Sequence, residues 1–226
     1  MSVPIVVDIW SDVMCPWCLV GYRAFKLGVQ EAGKDVDVTI RWMPFELNPD
    51  LEPEGREQAK HLAAVYNRTE EEVEAMRAQL AAKAAEVGFD MSWQGEGEEP
   101  PAKMWNTFDA HKLLRWALAE YGPPEQTALK EALFAAHFQQ RANMADREVL
   151  LGICEATGLD RAKAAAALDD EALAIAVRAE EARGREHGIT AVPTFVINYK
   201  YVLQGAKDPE AFARALLQIA SMEAAA

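Results

Sequence analysis

Strand patterns occur only near the two ends of this chain, and this constrains its fold more than any other feature. Residues 3–10 form a nearly continuous apolar run, typical of a strand buried on both faces, and residues 36–42 alternate between apolar and polar side chains. Strand character returns only at Thr194–Asn198 and Tyr201–Gln204, which flank a short turn and predict a hairpin. We expect the strand after Pro193 to lie beside the first strand, so that both ends of the chain build one sheet.

The long middle of the chain is predicted to be helical. Asn48–Gly55 is rich in Pro, Asp and Glu and indicates a boundary loop. Helices are predicted at 16–33, 69–86, 106–121, 124–140, 146–157, 160–168, 169–187 and 209–219. The sequence therefore predicts three parts: a strand–helix–strand segment over 1–48, a helical insertion over 49–188, and a hairpin with a last helix over 189–226.

Composition excludes several classes of function. The chain has 226 residues and a net charge of -13, which disfavours binding to nucleic acid or to anionic membranes. No apolar run approaches the ~20 residues of a membrane span, and the first ten residues lack the basic region of a secretory signal. We therefore expect a cytoplasmic protein. Three cysteines are too few for a disulfide framework, so a close pair is more typical of catalysis or metal binding.

The sequence Cys15-Pro16-Trp17-Cys18 directly follows the first strand and opens a helix. Pro16 suits the first turn of a helix, where its missing N–H costs nothing. A helix N-terminus stabilises a thiolate, so we expect Cys15 to be the acidic, exposed sulfur. Cys18, one turn further, is predicted to be buried and to resolve a mixed disulfide, since two intervening residues keep the sulfurs within disulfide reach.

The alternative interpretations of this motif are a zinc site and an accidental spacing. Zinc usually requires two more ligands, and the four histidines are scattered singly along the chain. The position of the motif between a strand and a helix also argues against coincidence. We therefore expect no metal at this site.

Asp8 is a carboxylate inside the first apolar strand, where an unpaired charge is costly. Beneath the start of the helix it would exchange a proton with Cys18. The alternative is a solvated acid at the end of the strand, because position alone does not establish burial.

The segment Val192-Pro193-Thr194 stands at the entry of a predicted strand, where proline removes a ladder donor. A cis bond before Pro193 would leave the backbone of Val192 free to pair with an extended substrate. The alternative is an ordinary trans proline in a turn, since only ~5% of such bonds are cis. We predict that these three residues form a substrate-binding segment beside the cysteines.

Together these motifs resemble the thioredoxin superfamily, specifically the DsbA-like group and its FrnE-type cytoplasmic branch. The resemblance covers essentially the whole chain and rests on residues 8–18, 106–111, 191–197 and 203–206. It implies an α/β fold, a thioredoxin fold with a large all-helical insertion. It also implies a protein disulfide oxidoreductase in which Cys15 attacks, Cys18 resolves, Pro193 is the cis proline and Asp8 is the buried acid.

The same resemblance implies protein or peptide thiols and disulfides as substrates, no bound cofactor, and glutathione as a candidate co-substrate. Two departures from the family pattern bear on the chemistry. The pair between the cysteines is Pro16-Trp17 instead of the Pro-His of periplasmic oxidases, which argues against strong oxidising power. The 226 residues also lack the extra C-terminal cysteines of some FrnE-type proteins, so we expect no mechanism with a second cysteine pair.

Two alternative functions remain open at this point. Kappa-class glutathione transferases and 2-hydroxychromene-2-carboxylate isomerases are similar in their insertion, but they normally use serine at the place of Cys15. A glutathione-dependent transferase or isomerase acting on small aromatic molecules is therefore the main alternative. A redox-inactive chaperone or binding module is the weaker one, because both cysteines are present. The direction of the redox reaction is not fixed by the sequence.

Several other residues have an ordinary structural interpretation and a functional alternative. Cys154 is expected to be a small buried hydrophobe, with a third redox role as the alternative. His111 is expected to pack within the insertion, with a place on the rim of the active site as the alternative. Six apolar residues are candidates for lining a substrate cleft, although packing in the core is the default for most of them: Trp17, Trp42, Met43, Phe45, Trp105 and Phe108.

Overall fold

A computed structural model describes residues 2–52 and 54–225 of the protein. The elements follow one another as β1 (Val3–Ser11), α1 (Pro16–Ala32), a 3-10 turn (Gly33–Asp35), β2 (Val36–Pro44), β3 (Arg56–Glu57), α2 (Gln58–Tyr66), α3 (Glu70–Glu86), β4 (Lys103–Met104), α4 (Phe108–Glu120), α5 (Pro123–Gln140), α6 (Arg147–Ala156), α7 (Arg161–Asp169), α8 (Glu171–Glu186), β5 (Thr194–Ile197), β6 (Tyr201–Gln204) and α9 (Pro209–Ala224).

The main sheet has the strand order β2-β1-β5-β6. Strands β1 and β2 are parallel and are joined through helix α1, whereas β5 runs antiparallel to both β1 and β6. The register places Trp10 opposite Thr194, so the end of β1 and the start of β5 lie side by side. This arrangement brings the segment after β1 and the segment before β5 to the same end of the sheet.

Helices α1 and α9 pack closely against each other. An added Cβ on Gly28 would lie 2.7 Å from both Phe212 Cβ and the carbonyl oxygen of Pro209, so only glycine permits this approach. The helix α1 ends at Gly33, whose φ of 65° favours glycine. The core beneath these helices joins residues from β1, β5, α1 and α9, and it includes both Cys15 and Cys18.

A second core lies within the segment between β2 and β5. It is built mainly from α4, α5, α6 and α7, and it also takes in Val13 and Met14 from the loop after β1. Cys15 belongs to the first core and its neighbour Met14 to the second. The cysteine motif therefore begins where the two cores meet.

The predicted fold class is confirmed, with one correction to the insertion. The predicted strands, the hairpin and the long helices are all present. Helix α3 begins with a capping box formed by Thr69 and Glu72. The insertion is not all-helical, however, because β3 and β4 pair within it, and helix α2 was not predicted as a separate element. No helix in the described ranges combines the length and the apolarity that a membrane span requires.

Candidate active site

Cys15 and Cys18 are free thiols at the N-terminus of α1. Cys15 is the N-cap residue, with an extended backbone at φ -80° and ψ 110°, and Pro16 follows at the first helical position. The backbone N–H of Cys18 donates a hydrogen bond to Sγ of Cys15 at 3.3 Å. The same amide also donates to the carbonyl oxygen of Cys15 at 3.0 Å. An amide of the first helical turn therefore points at the Cys15 sulfur, which is the position where it stabilises negative charge.

Both cysteines are buried, which corrects the expectation of an exposed Cys15. The relative exposure is 4% for Cys15 and 0% for Cys18. The side-chain hydrogen bond with Cys18, followed by burial, raises the pKa of Cys15 well above its ordinary value, although the Cys18 amide opposes this change. In this dithiol Cys15 is therefore less acidic than predicted, because its contact with the Cys18 thiol and its burial both favour the protonated form.

The segment before β5 lies against the cysteines. Sγ of Cys15 is 3.9 Å from the carbonyl oxygen of Val192, and the Val192–Pro193 peptide bond is cis. Thr194 is buried, and its hydroxyl donates a hydrogen bond to the carbonyl of Ala191 at 2.7 Å. Val192 and Pro193 are thus placed near the Cys15 sulfur, whereas the Thr194 side chain is buried and forms its hydrogen bond within the segment itself.

Asp8 does not face the cysteines, which corrects its predicted role as the proton relay. Successive side chains of a strand point to opposite faces, and Val7 and Ile9 are the neighbours that enter the core with Cys18. The carboxylate of Asp8 instead accepts two hydrogen bonds from Arg41 on β2, at 2.7 and 2.8 Å. Asp8 therefore forms a structural ion pair on the other face of the sheet.

The buried acid near the cysteines is Asp12, which the sequence interpretation missed. Its carboxylate is fully buried and accepts hydrogen bonds from the backbone N–H of Met14 at 3.2 Å and of Leu47 at 2.8 Å. Burial raises the pKa of Asp12, and Lys130 and the two amides oppose this rise. His111 is also buried, with Nε2 at 3.9 Å from the Asp12 carboxylate.

An apolar cavity of about 860 Å³ opens beside Cys15. Its lining includes Met14, Cys15, Trp17 and Val192 together with residues of α2 and α3, whereas Cys18 is not part of it. Cys15 is therefore the sulfur that a molecule in the cavity reaches first. Of the six apolar residues proposed to line a cleft, Trp17 and Trp105 do so, and Trp42 is instead buried in the core.

These features of fold and site agree with the comparison to protein families. The model of the DSBA-like thioredoxin domain matches residues 6–217. The chain belongs to this family. It is 28% identical to "Uncharacterized protein YwbO" of Bacillus subtilis (strain 168) over 211 residues, which are 93% of this chain and 94% of that protein.

Two solved structures are similar to this chain in fold. The "probable DsbA oxidoreductase SCO1869 from Streptomyces coelicolor" has a TM-score of 0.85 and 32% identity, over 97% of this chain and 91% of that chain. The "cytosolic disulfide reductase DsbM from Pseudomonas aeruginosa with GSH" has a TM-score of 0.63 and 16% identity, over 95% and 98% of the two chains. The second likeness concerns the fold alone.

Within the described ranges of this DSBA-like protein, no group of three or more His, Cys, Asp and Glu side chains is arranged to hold a metal ion. Cys154 lies on α6 in the second core, is fully buried, and its pKa is raised by burial to about 12. The third cysteine thus packs as a small apolar residue, away from the pair.

Proposed function

We propose that this protein is a thiol–disulfide oxidoreductase that exchanges disulfides with protein or peptide substrates through Cys15 and Cys18. The observation that carries the proposal is the placement of the pair. Two free thiols lie one helical turn apart at the start of α1, and only Cys15 lines the cavity. An attacking sulfur at the cavity and a resolving sulfur behind it are what two-step disulfide exchange requires.

The reduction of a substrate proceeds in two exchanges. The Cys15 thiolate attacks one sulfur of the substrate disulfide, forms a mixed disulfide and releases the other substrate sulfur as a thiolate. The Cys18 thiolate then attacks Sγ of Cys15, which frees the second substrate sulfur and leaves a Cys15–Cys18 disulfide. Two electrons have passed to the substrate, and an external thiol returns the pair to its dithiol form. Substrate oxidation is the same sequence in reverse.

The surface around the cavity supports a polypeptide as substrate. Large apolar side chains that are exposed cluster at its lining: Trp17, Leu47, Val65, Tyr66 and Met76. An exposed apolar patch beside a reactive thiol fits the apolar side chains that flank a cysteine in an unfolded chain. Methionine and aromatic side chains also adapt to varied partners, which suits an enzyme with many substrates.

Glutathione is proposed as the external thiol and not as the principal substrate. Its two carboxylates require cationic partners, yet three of the four Lys and Arg side chains in the lining already pair with glutamates: Arg77, Lys83 and Arg141. The similar fold of DsbM, described with GSH, supports glutathione as a thiol that this architecture accepts. Action in the cytoplasm and membership of the FrnE-type branch are part of the same proposal.

Insulin reduction by glutathione tests the proposal. We expect the wild-type protein to accelerate it and the variant Cys15→Ser to lose that acceleration, because the attacking sulfur is absent. Cys154→Ala is the matched control, since it removes a cysteine that is outside the cavity, and it is expected to retain activity. Retained activity in Cys15→Ser would overturn the proposal.

The size of the cavity favours one second candidate. A volume of about 860 Å³ lies within the range of small-molecule sites. A glutathione-dependent transferase or isomerase for small aromatic compounds would use this space. Glutathione consumption with aromatic electrophiles, together with no effect on insulin, would favour that activity over disulfide exchange.

A further inference from the structure

Lys130 on α5 is a fully buried lysine without a hydrogen-bond partner among the described residues. Its Nζ lies over two aromatic rings, 5.1 Å from the centroid of Trp42 and 4.8 Å from that of Phe134. Both rings belong to the core that contains Cys15 and Cys18. A buried ammonium is costly unless negative charge faces it, and aromatic faces compensate only part of that cost.

The titratable groups that interact electrostatically with Lys130 in this core come from three segments of the chain. Asp12 lies in the loop after β1, Cys15 and Cys18 begin α1, and His111 lies on α4. Burial lowers the pKa of His111 well below its ordinary value, so this ring is neutral. The negative charge available to Lys130 therefore resides on Asp12 or on the cysteine pair.

The acid next to Lys130 in sequence is directed elsewhere. Glu131 accepts a hydrogen bond from the Tyr22 hydroxyl at 2.5 Å and pairs with Lys26 at 2.9 Å. It therefore does not neutralise the buried ammonium. The charge of Asp12 attracts Lys130, but the Asp12 carboxylate accepts its hydrogen bonds from backbone N–H groups, and no ion pair joins the two side chains among the described residues.

We propose that Lys130 is a positioning residue for the cysteine pair, whose buried ammonium stabilises the thiolate of the dithiol and so sets its reactivity. The proposal rests on the proposed function and adds a residue from the helical insertion to it. Loss of a proton from one thiol places a negative charge in the core, and the ammonium of Lys130 balances that charge without a direct bond to sulfur. The cation–π contacts with Trp42 and Phe134 keep the ammonium in place between ionisations.

A negative charge on the cysteine pair favours the protonated, positively charged form of Lys130, as this role requires. Burial lowers the pKa of Lys130 to about 8, whereas the charges of Cys18, Asp12 and Cys15 raise it. A thiolate in the pair therefore keeps Lys130 protonated, and a protonated Lys130 keeps the thiolate ionised. This reciprocity follows from linkage between two interacting titratable groups.

The pH dependence of alkylation tests the role of Lys130. In Lys130→Met the volume is nearly kept and the charge is lost, so we expect the pKa of the reactive thiol to rise by about one unit. The rate of iodoacetamide reaction at pH 7 should then fall about tenfold, because the thiolate is the reacting species. Lys130→Gln, a second neutral variant, should behave in the same way, and far-ultraviolet circular dichroism checks that both variants are folded.

Lys112→Met is the matched control. Lys112 is also a buried lysine of the insertion, but its Nζ donates to the carbonyl of Leu168 and does not face the cysteines. We expect its alkylation profile to match that of the wild type. A folded Lys130→Met or Lys130→Gln with an unchanged profile would overturn the role of Lys130, even while the wild type still reduces insulin. A wild type that reduces no disulfide would instead overturn the proposed function.

Discussion

Gly21 on α1 packs against Pro193, and Gly21→Ala is expected to disturb that contact. A Cβ added to Gly21 would lie 2.9 Å from Cγ of Pro193 and 3.4 Å from Cα of Ala206. The proline ring is rigid, so the segment must move away by about 0.5 Å to reach ordinary van der Waals contact. Overpacking of this kind costs about 1–3 kcal/mol of unfolding free energy.

The substitution also has a favourable part, because alanine in a helix is better than glycine by about 0.5–1 kcal/mol. Gly152→Ala on α6 isolates that part, since an added Cβ there meets no atom within 4 Å. We therefore expect urea denaturation to find Gly21→Ala about 1–3 kcal/mol less stable than Gly152→Ala. Insulin reduction should also fall several-fold in Gly21→Ala alone, as the carbonyl of Val192 moves relative to Cys15. Equal stability and equal activity of the two variants would refute the packing argument.

Three further predictions concern buried polar groups. Asp12→Ala leaves two backbone N–H groups without their acceptor and should lower the unfolding free energy by about 2–4 kcal/mol in urea denaturation; a loss no larger than that of a surface Asp→Ala change would contradict this. Cys154, whose pKa is raised by burial to about 12, should remain unlabelled by iodoacetamide in the native protein at pH 7, as peptide mass spectrometry would show. Burial lowers the pKa of His137 to about 3, so below about pH 6.5 the unfolded state takes up a proton that the folded state does not, and the protein loses stability as pH falls. His137→Leu should therefore unfold at lower pH than the wild type in an acid titration. An identical acid transition in the two proteins would contradict the lowered pKa of His137.

The sequence alone predicts the overall fold because its signals are local and strong. The strand of residues 3–10, the helix that opens at Pro16 and the hairpin after Pro193 each carry their own periodicity and turn residues. The position of Cys15 and Cys18 between a predicted strand and a predicted helix identifies them as the candidate redox pair in the same way. Helix α2 and the β3–β4 pair were not predicted because they lie next to loops rich in Pro and Gly. Strands of two residues are also too short to show an alternating pattern of apolar and polar side chains.

The buried charges of the site are not predictable in this way. Asp8 was chosen because a carboxylate interrupts an apolar strand, yet the two-residue period of the strand turns it towards Arg41. In the sequence Asp12 resembles an ordinary polar residue of a turn. In the structure its buried carboxylate is stabilised by backbone N–H groups, one of which belongs to Leu47, after β2. Lys130 is remote in sequence from Cys15, and only the packing of α5 against the sheet brings them together. Burial of this kind is a tertiary property, which no local pattern reports.

The most direct test of the central claim is the capture of mixed disulfides by Cys18→Ala. Without the resolving sulfur, a substrate attached to Cys15 cannot be released by the second exchange. We expect this variant, expressed in cells and analysed under non-reducing conditions, to carry protein adducts that map to Cys15 and disappear with a reductant. The double variant Cys15→Ser with Cys18→Ala should carry none. Adducts to glutathione alone, or protein adducts at Cys154, would contradict disulfide exchange with protein substrates through Cys15.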